Sequence, residues 1–193
     1  MSPAHRRARG LAALVLLGSV ASSTPLVAQN LLDQGSANEL RKQFLADIDT
    51  VHVKVMALAE LIPAEKYTWS PTPETRTIAN ALMHVATEWY IYVPAVIGGS
   101  RPAEMAAPRE SIPMLEKLTD KSEVLDHLRK AWEHARQQVE GADLTLLLGR
   151  RQLFGQSTTL PQVLFLMSGD LHEHLGQLVT YTRSIGLVPP WSK

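Results

Sequence analysis

The chain has 193 residues, 45% of them hydrophobic but only 6% aromatic, which suits a single domain with a helical core of Leu, Val and Ala. Its 19 basic and 19 acidic residues cancel, and no basic stripe is present, which argues against nucleic acid as a partner. It has no cysteine, so disulfides, thiolate catalysis and Cys-ligated metals are excluded, and stability must come from packing.

Residues 1–28 read as a signal peptide. His5, Arg6, Arg7 and Arg9 form a basic start, Leu11 to Val20 an apolar stretch short for a membrane span, and small residues follow up to Ala28. Cleavage fits after Ala21 or after Ala28; an uncleaved anchor is the alternative. Removing the segment takes three Arg and no acid, leaving 16 basic against 19 acidic residues, a charge of −3. The mature chain, residues 29–193, is then extracytoplasmic, periplasmic or secreted, and free of the membrane.

The first helix is predicted from Ser36 to Ile62. Ser36 and Glu39 have capping-box spacing, and Leu40, Phe44, Ile48, Val51, Val55, Leu58 and Ile62 recur at steps of three and four until Pro63. A Pro-rich turn, Trp69 to Pro73, leads to a second helix with Thr77 as N-cap. Ile78, Leu82, Val85, Trp89, Tyr92 and Val96 share one face, and Gly98 and Gly99 stop it. The connection from Gly98 to Leu118 carries Pro102, Pro108 and Pro113 and is long enough to cross the end of a bundle.

Asp120 and Glu123 open the third helix, with Val124, Leu128, Ala131, Ala135 and Val139 inward and Gly141 at its end. The fourth starts at Thr159, with Gln162 three residues on, and ends before Gly186, Pro189 and Pro190. No strand-like alternation competes. The expected architecture is an all-α four-helix bundle with one long crossover connection.

Side chains able to hold a metal fall on the second and fourth helices. Leu164, Met167, Leu171, Leu175 and Leu178 mark the buried stripe of the fourth; at ~100° per residue, Asp170 and His174 share one flank and His172 lies on the other. Asp170 and His174, at i and i+4, can bite one cation from a single helix. His84 and Glu88 stand in the same relation on the second. If the flanks meet, His84, Asp170 and His174 form a two-His, one-carboxylate site with open positions, a set suited to Zn, Ni, Fe or Mn. By spacing alone, hydrogen-bonded structural histidines are the better account of these residues.

Other polar residues have plain readings as well as functional ones. Asp47 interrupts the apolar face of the first helix, where it either supports a metal-bound His or makes a partly solvated contact. His127 and His134 fit a solvated face, and Glu88 fits either a water-facing residue or an extra ligand or base. Trp89, Tyr90, Tyr92 and Tyr181 suit core packing or the lining of a substrate pocket.

Two strings, LAELIPAEKYTWSPTPETRTIANALMHVATEWY from Leu58 and HEHLGQLVTYTRSIGLVPPWS from His172, resemble the DinB-like family of four-helix-bundle proteins. The similarity rests above all on Tyr67 to Pro73 with Arg76 and Thr77, on His84 in mid-helix, and on His174, Gly176 and Gln177. It implies a divalent metal held by three His, one matching His84 and an i, i+4 pair on the fourth helix. The later of that pair matches His174, and the earlier falls on Asp170, a departure that adds negative charge.

Three functions remain open from the sequence. One is a metal-dependent enzyme of transferase or hydrolase type acting on an unidentified small molecule; the resemblance brings thiol-dependent transferases and an isomerase to this class, although export from the cytoplasm weakens the thiol version. The others are a binding protein without turnover and a scaffold with a vestigial site. Exposed aromatic flanks are compatible with a symmetric homodimer.

Overall fold

The computed structural model describes residues 32–153 and 155–192. The expected signal segment, residues 1–28, lies outside them. The described chain is mostly helical, with one small antiparallel sheet. None of its helices is long and apolar enough to cross a membrane.

Helix α1 (Gln34–Leu61) starts one turn earlier than its spacing predicts. Asp33, rather than Ser36, is the N-cap, and its carboxylate accepts the Ser36 N–H at 2.7 Å. At the other end, Lys121 Nζ donates to the carbonyls of Glu60 and Ile62, both at 2.7 Å, and so takes up acceptors the helix leaves open. The loop after it is pinned from both sides. Tyr67 Oη donates to the Ala59 carbonyl at 2.7 Å, and the Tyr67 and Trp69 carbonyls accept from Ala79 and Ile78. The motif from Tyr67 onward therefore fixes where the second rod begins.

That rod has three parts: α2 (Ile78–Thr87), a π-helical turn (Glu88–Tyr92) and α3 (Val93–Ile97). Thr77 caps it as expected, its Oγ1 accepting the Asn80 N–H at 3.1 Å, and Gly98 ends it with φ 83°, a left-handed conformation. The π turn was not legible in the sequence. Pro94 offers no N–H to the carbonyl one turn back, and the ladder instead closes from Val93 N–H to the Glu88 carbonyl.

The long connection contains its own helix, α4 (Pro108–Leu115), started by Pro108 at a position whose N–H would be unbonded in any case. Helix α5 (Lys121–Glu140) is capped by Asp120, which accepts from the Ser122 and Glu123 N–H groups. A hairpin follows, β1 (Arg150–Leu153) and β2 (Gln156–Thr159), in register Arg150↔Thr159 to Leu153↔Gln156. This corrects the strand-free expectation; the strands are short, and their residues carry no alternation strong enough to mark them. Helix α6 (Leu160–Ser184) begins at its predicted cap, Thr159.

Helices α5 and α6 each pack against both α1 and the α2–α3 rod, so four rods surround one core. Its largest fully buried side chains include Trp89, Tyr67, Ile48, Leu82 and Leu128, and the predicted inward residues of every rod lie in it except Leu40 and Tyr92, which pack partly buried against it.

Candidate metal centre

The seam between α2 and α6 brings His84, Glu88 and His174 together. One ligand atom from each lies within 4.8 Å of the others. His174 Nε2 is 3.0 Å and His84 Nε2 3.5 Å from the same oxygen, Glu88 Oε1, and the two imidazoles meet edge to face with centroids 4.7 Å apart. Ligands about 2.0–2.1 Å from a tetrahedral cation stand about 3.3 Å apart, close to these separations.

Glu88 is the unusual member. Only 1% of it is exposed, and its second oxygen, Oε2, is buried without a hydrogen-bond partner. A buried carboxylate with a free lone-pair set is costly unless something positive meets it. Burial pushes its carboxyl up to about 7, against the hydrogen bond from His174 that pulls it down. His174 is raised by that same bond, whereas burial lowers His84. The donor set, its spacing and the orphaned oxygen all fit a divalent cation.

The His84 imidazole is oriented from behind. His84 Nδ1 lies 2.6 Å from Glu116 Oε1, which directs Nε2 into the cluster, and the Glu116 carbonyl is itself tied to Asn80 Nδ2 at 2.8 Å. A carboxylate on the far nitrogen of a metal-binding His fixes the tautomer and raises ligand basicity. Behind His174 on the same helix, Gln177 Nε2 donates to Tyr181 Oη at 2.9 Å, and Tyr181 in turn packs on Trp69. Residues far apart in the sequence thereby converge on one histidine pair.

Two of the three expected ligands, His84 and His174, are thus neighbours. The third, Asp170, stands outside the tight cluster: its Oδ1 is 3.8 Å from His174 Nε2 and its side chain is 51% exposed. The central carboxylate is Glu88, one turn after His84. His172 faces away, with Nε2 3.0 Å from Asp47 Oδ1, while Ser168 bonds the other Asp47 oxygen. Asp47 therefore makes a partly solvated contact and does not support His174. His134 and His127 engage the Ser100 carbonyl and Tyr90.

A family model of the DinB superfamily matches residues 47–178, which spans both histidines and most of the four rods. The chain belongs to the DinB superfamily. No match is found among curated protein sequences. Within this DinB-superfamily chain, Glu88, which the sequence offered only as an extra ligand or base, is the central carboxylate, and Glu116 is the residue that sequence reasoning missed. The i, i+4 spacing of His84 and Glu88 was a signal for the first; nothing in the chain order announces the second, 32 residues from His84.

Glu116 gives a direct test of this arrangement. Glu116→Ala is expected to weaken zinc binding about 10–100-fold without loss of helicity, because His84 loses its orienting partner. Titration against a competing chelator measures it, and an unchanged affinity would show that Glu116 does not support the site.

Proposed function

We propose that the chain is a metal-dependent enzyme of transferase or hydrolase type, acting on a small molecule, with a divalent cation held by His84, Glu88 and His174. The observation that carries this reading is the buried Glu88 carboxylate, set between two imidazole Nε2 atoms with one oxygen unpartnered. A vestigial scaffold would gain nothing from retaining so costly a group. Two imidazoles and a carboxylate suit Zn, Ni, Fe or Mn. When bound, the cation would polarise a substrate oxygen or lower the pKa of a water.

The chain's own residues supply the rest. Glu88 and the two His fix the polar end of the site, and Glu116 holds the His84 ring in place. Asp170, half exposed beside His174, is placed to carry a proton between the site and solvent. The residues of 1–28 support export with the mature chain starting between Ser22 and Gln29; N-terminal sequencing of the extracytoplasmic fraction checks this, and intact Met1 in the cytoplasm would refute it.

Metal content of single alanine variants tests the ligand set. His84→Ala and His174→Ala are expected to lose the metal, whereas His172→Ala keeps it and costs no more than about 1 kcal/mol, since its bond to Asp47 is a surface pair. Asp170→Ala separates two roles: retained metal with lost turnover on a panel of ester-hydrolysis and thiol-conjugation substrates makes it a proton carrier, and lost metal makes it a ligand. If His174→Ala keeps the metal, the proposed centre is wrong.

A further inference from the structure

The same seam continues beyond the metal cluster as an apolar groove. Along the α2–α3 rod the order is His84, Glu88, Tyr92 and Val96; along α6, running the other way, it is His174, Asp170, Met167 and Val163. Tyr92, Val96, Val163, Met167 and Leu153 line a groove of about 530 Å³, and Asp170 lies at its end. Asp170 also interacts with Glu88 and His174, so this one residue borders both the groove and the cluster. Its volume is that of a small-molecule site.

Gly169 lines the groove on its exposed side. It sits inside α6, where glycine is less stable than alanine, yet a Cβ there would meet nothing within 4 Å. Packing does not require the glycine, and any larger side chain would project into the groove it lines. At the mouth, Phe165 is 80% and Leu166 62% exposed, apolar surface that remains to be covered.

Resting on the metal reading above, we propose that this groove binds the apolar acyl or aryl body of the substrate and presents its oxygen-bearing head group to the His84, Glu88 and His174 cluster, with Asp170 at the junction. Among the described residues the groove has no lining Lys or Arg, and its only charged lining residues are Asp170 and Glu173. An anionic body is therefore disfavoured, and a neutral hydrocarbon or ring is favoured.

Alkyl hydroxamates, from acetohydroxamate to octanohydroxamate, test the continuity of the two regions by calorimetry on the zinc-loaded full chain. Affinity should rise about threefold to fourfold per methylene as each is buried. Gly169→Trp should leave acetohydroxamate binding intact and abolish the chain-length dependence, with Gly169→Leu intermediate; circular dichroism verifies that both remain folded.

The neutral fluorophore N-phenyl-1-naphthylamine reads the groove independently in chelator-treated protein, and Gly169→Trp should lose it. Zinc uptake without chain-length dependence, or dependence unaltered in both Gly169 variants, overturns the groove proposal. Fluorophore binding in a chain that takes up no zinc instead overturns the metal reading, and with it the head-group part of the proposal. A wild-type dimer that binds no fluorophore and becomes monomeric in Gly169→Trp would assign the groove to a second copy and overturn it.

Discussion

Glu88→Gln is expected to have opposite effects on metal binding and on metal-free stability. Glutamine keeps the shape of the side chain but removes the anionic ligand, so zinc affinity should fall at least about 100-fold. In the metal-free protein the carboxyl, at about 7 when folded and near 4.5 when unfolded, resists ionisation. The folded state therefore binds more protons than the unfolded state between these values, and stability is lost as pH rises from 4.5 through 7. Well above 7 the deficit is about 2–3 kcal/mol, which Glu88→Gln should recover, whereas at pH 4 the two proteins should differ little. Urea unfolding at pH 4, 6 and 8, with and without zinc, measures it. A variant less stable than wild type at pH 8 without metal would show that Glu88 is well solvated or well paired.

His52→Phe is expected to remove much of the acid sensitivity of the fold. The His52 ring stacks on Trp132 with centroids 4.7 Å apart and planes 10° from parallel, and meets Trp89 edge-on at 5.2 Å. Its Nδ1 is buried without a partner, as is Trp89 Nε1. Burial pushes the imidazole down to about 4, with Asp49 acting weakly in the other direction. The unfolded chain thus takes up a proton near 6.5 that the folded chain resists, and stability falls as pH drops from 6.5 through 4. The full loss is about 2–3 kcal/mol. Phenylalanine preserves the stack, has no proton to accept and removes the orphaned imidazole nitrogen. With chelator present throughout, the difference in unfolding midpoint between variant and wild type should grow as pH falls from 7 to 4. A constant difference would show that His52 does not titrate with unfolding.

The two predictions concern neighbouring places in one core that the sequence describes unequally. His52 stands beside Val51 in a strongly periodic helix, and nothing local marks its nitrogen as buried; only the approach of Trp89 and Trp132 does so. Glu88 carries a sequence signal in its spacing from His84, but the same spacing is common on helix surfaces exposed to water. Its burial depends on the rods meeting around it, with His174 of α6 reaching its carboxylate, a property of the packed bundle.

The sequence by itself determined the four rods, because apolar residues at steps of three and four, with Thr77, Asp120 and Thr159 as caps, are local instructions. It also located His84 and His174, and helical phase correctly turned His172 away from them. Tertiary structure decided what phase cannot encode: which carboxylate enters the seam. Asp170 and Glu88 are each one helical turn from a histidine, and only the relative placement of the two rods puts Glu88 between the rings and leaves Asp170 at the rim. The π turn, the helix within the crossover connection and the Glu116 contact to His84 were decided in the same way. The Glu116 contact joins side chains 32 residues apart, whereas the π turn and the helix Pro108–Leu115 are local backbone features for which the chain carries no periodic signal.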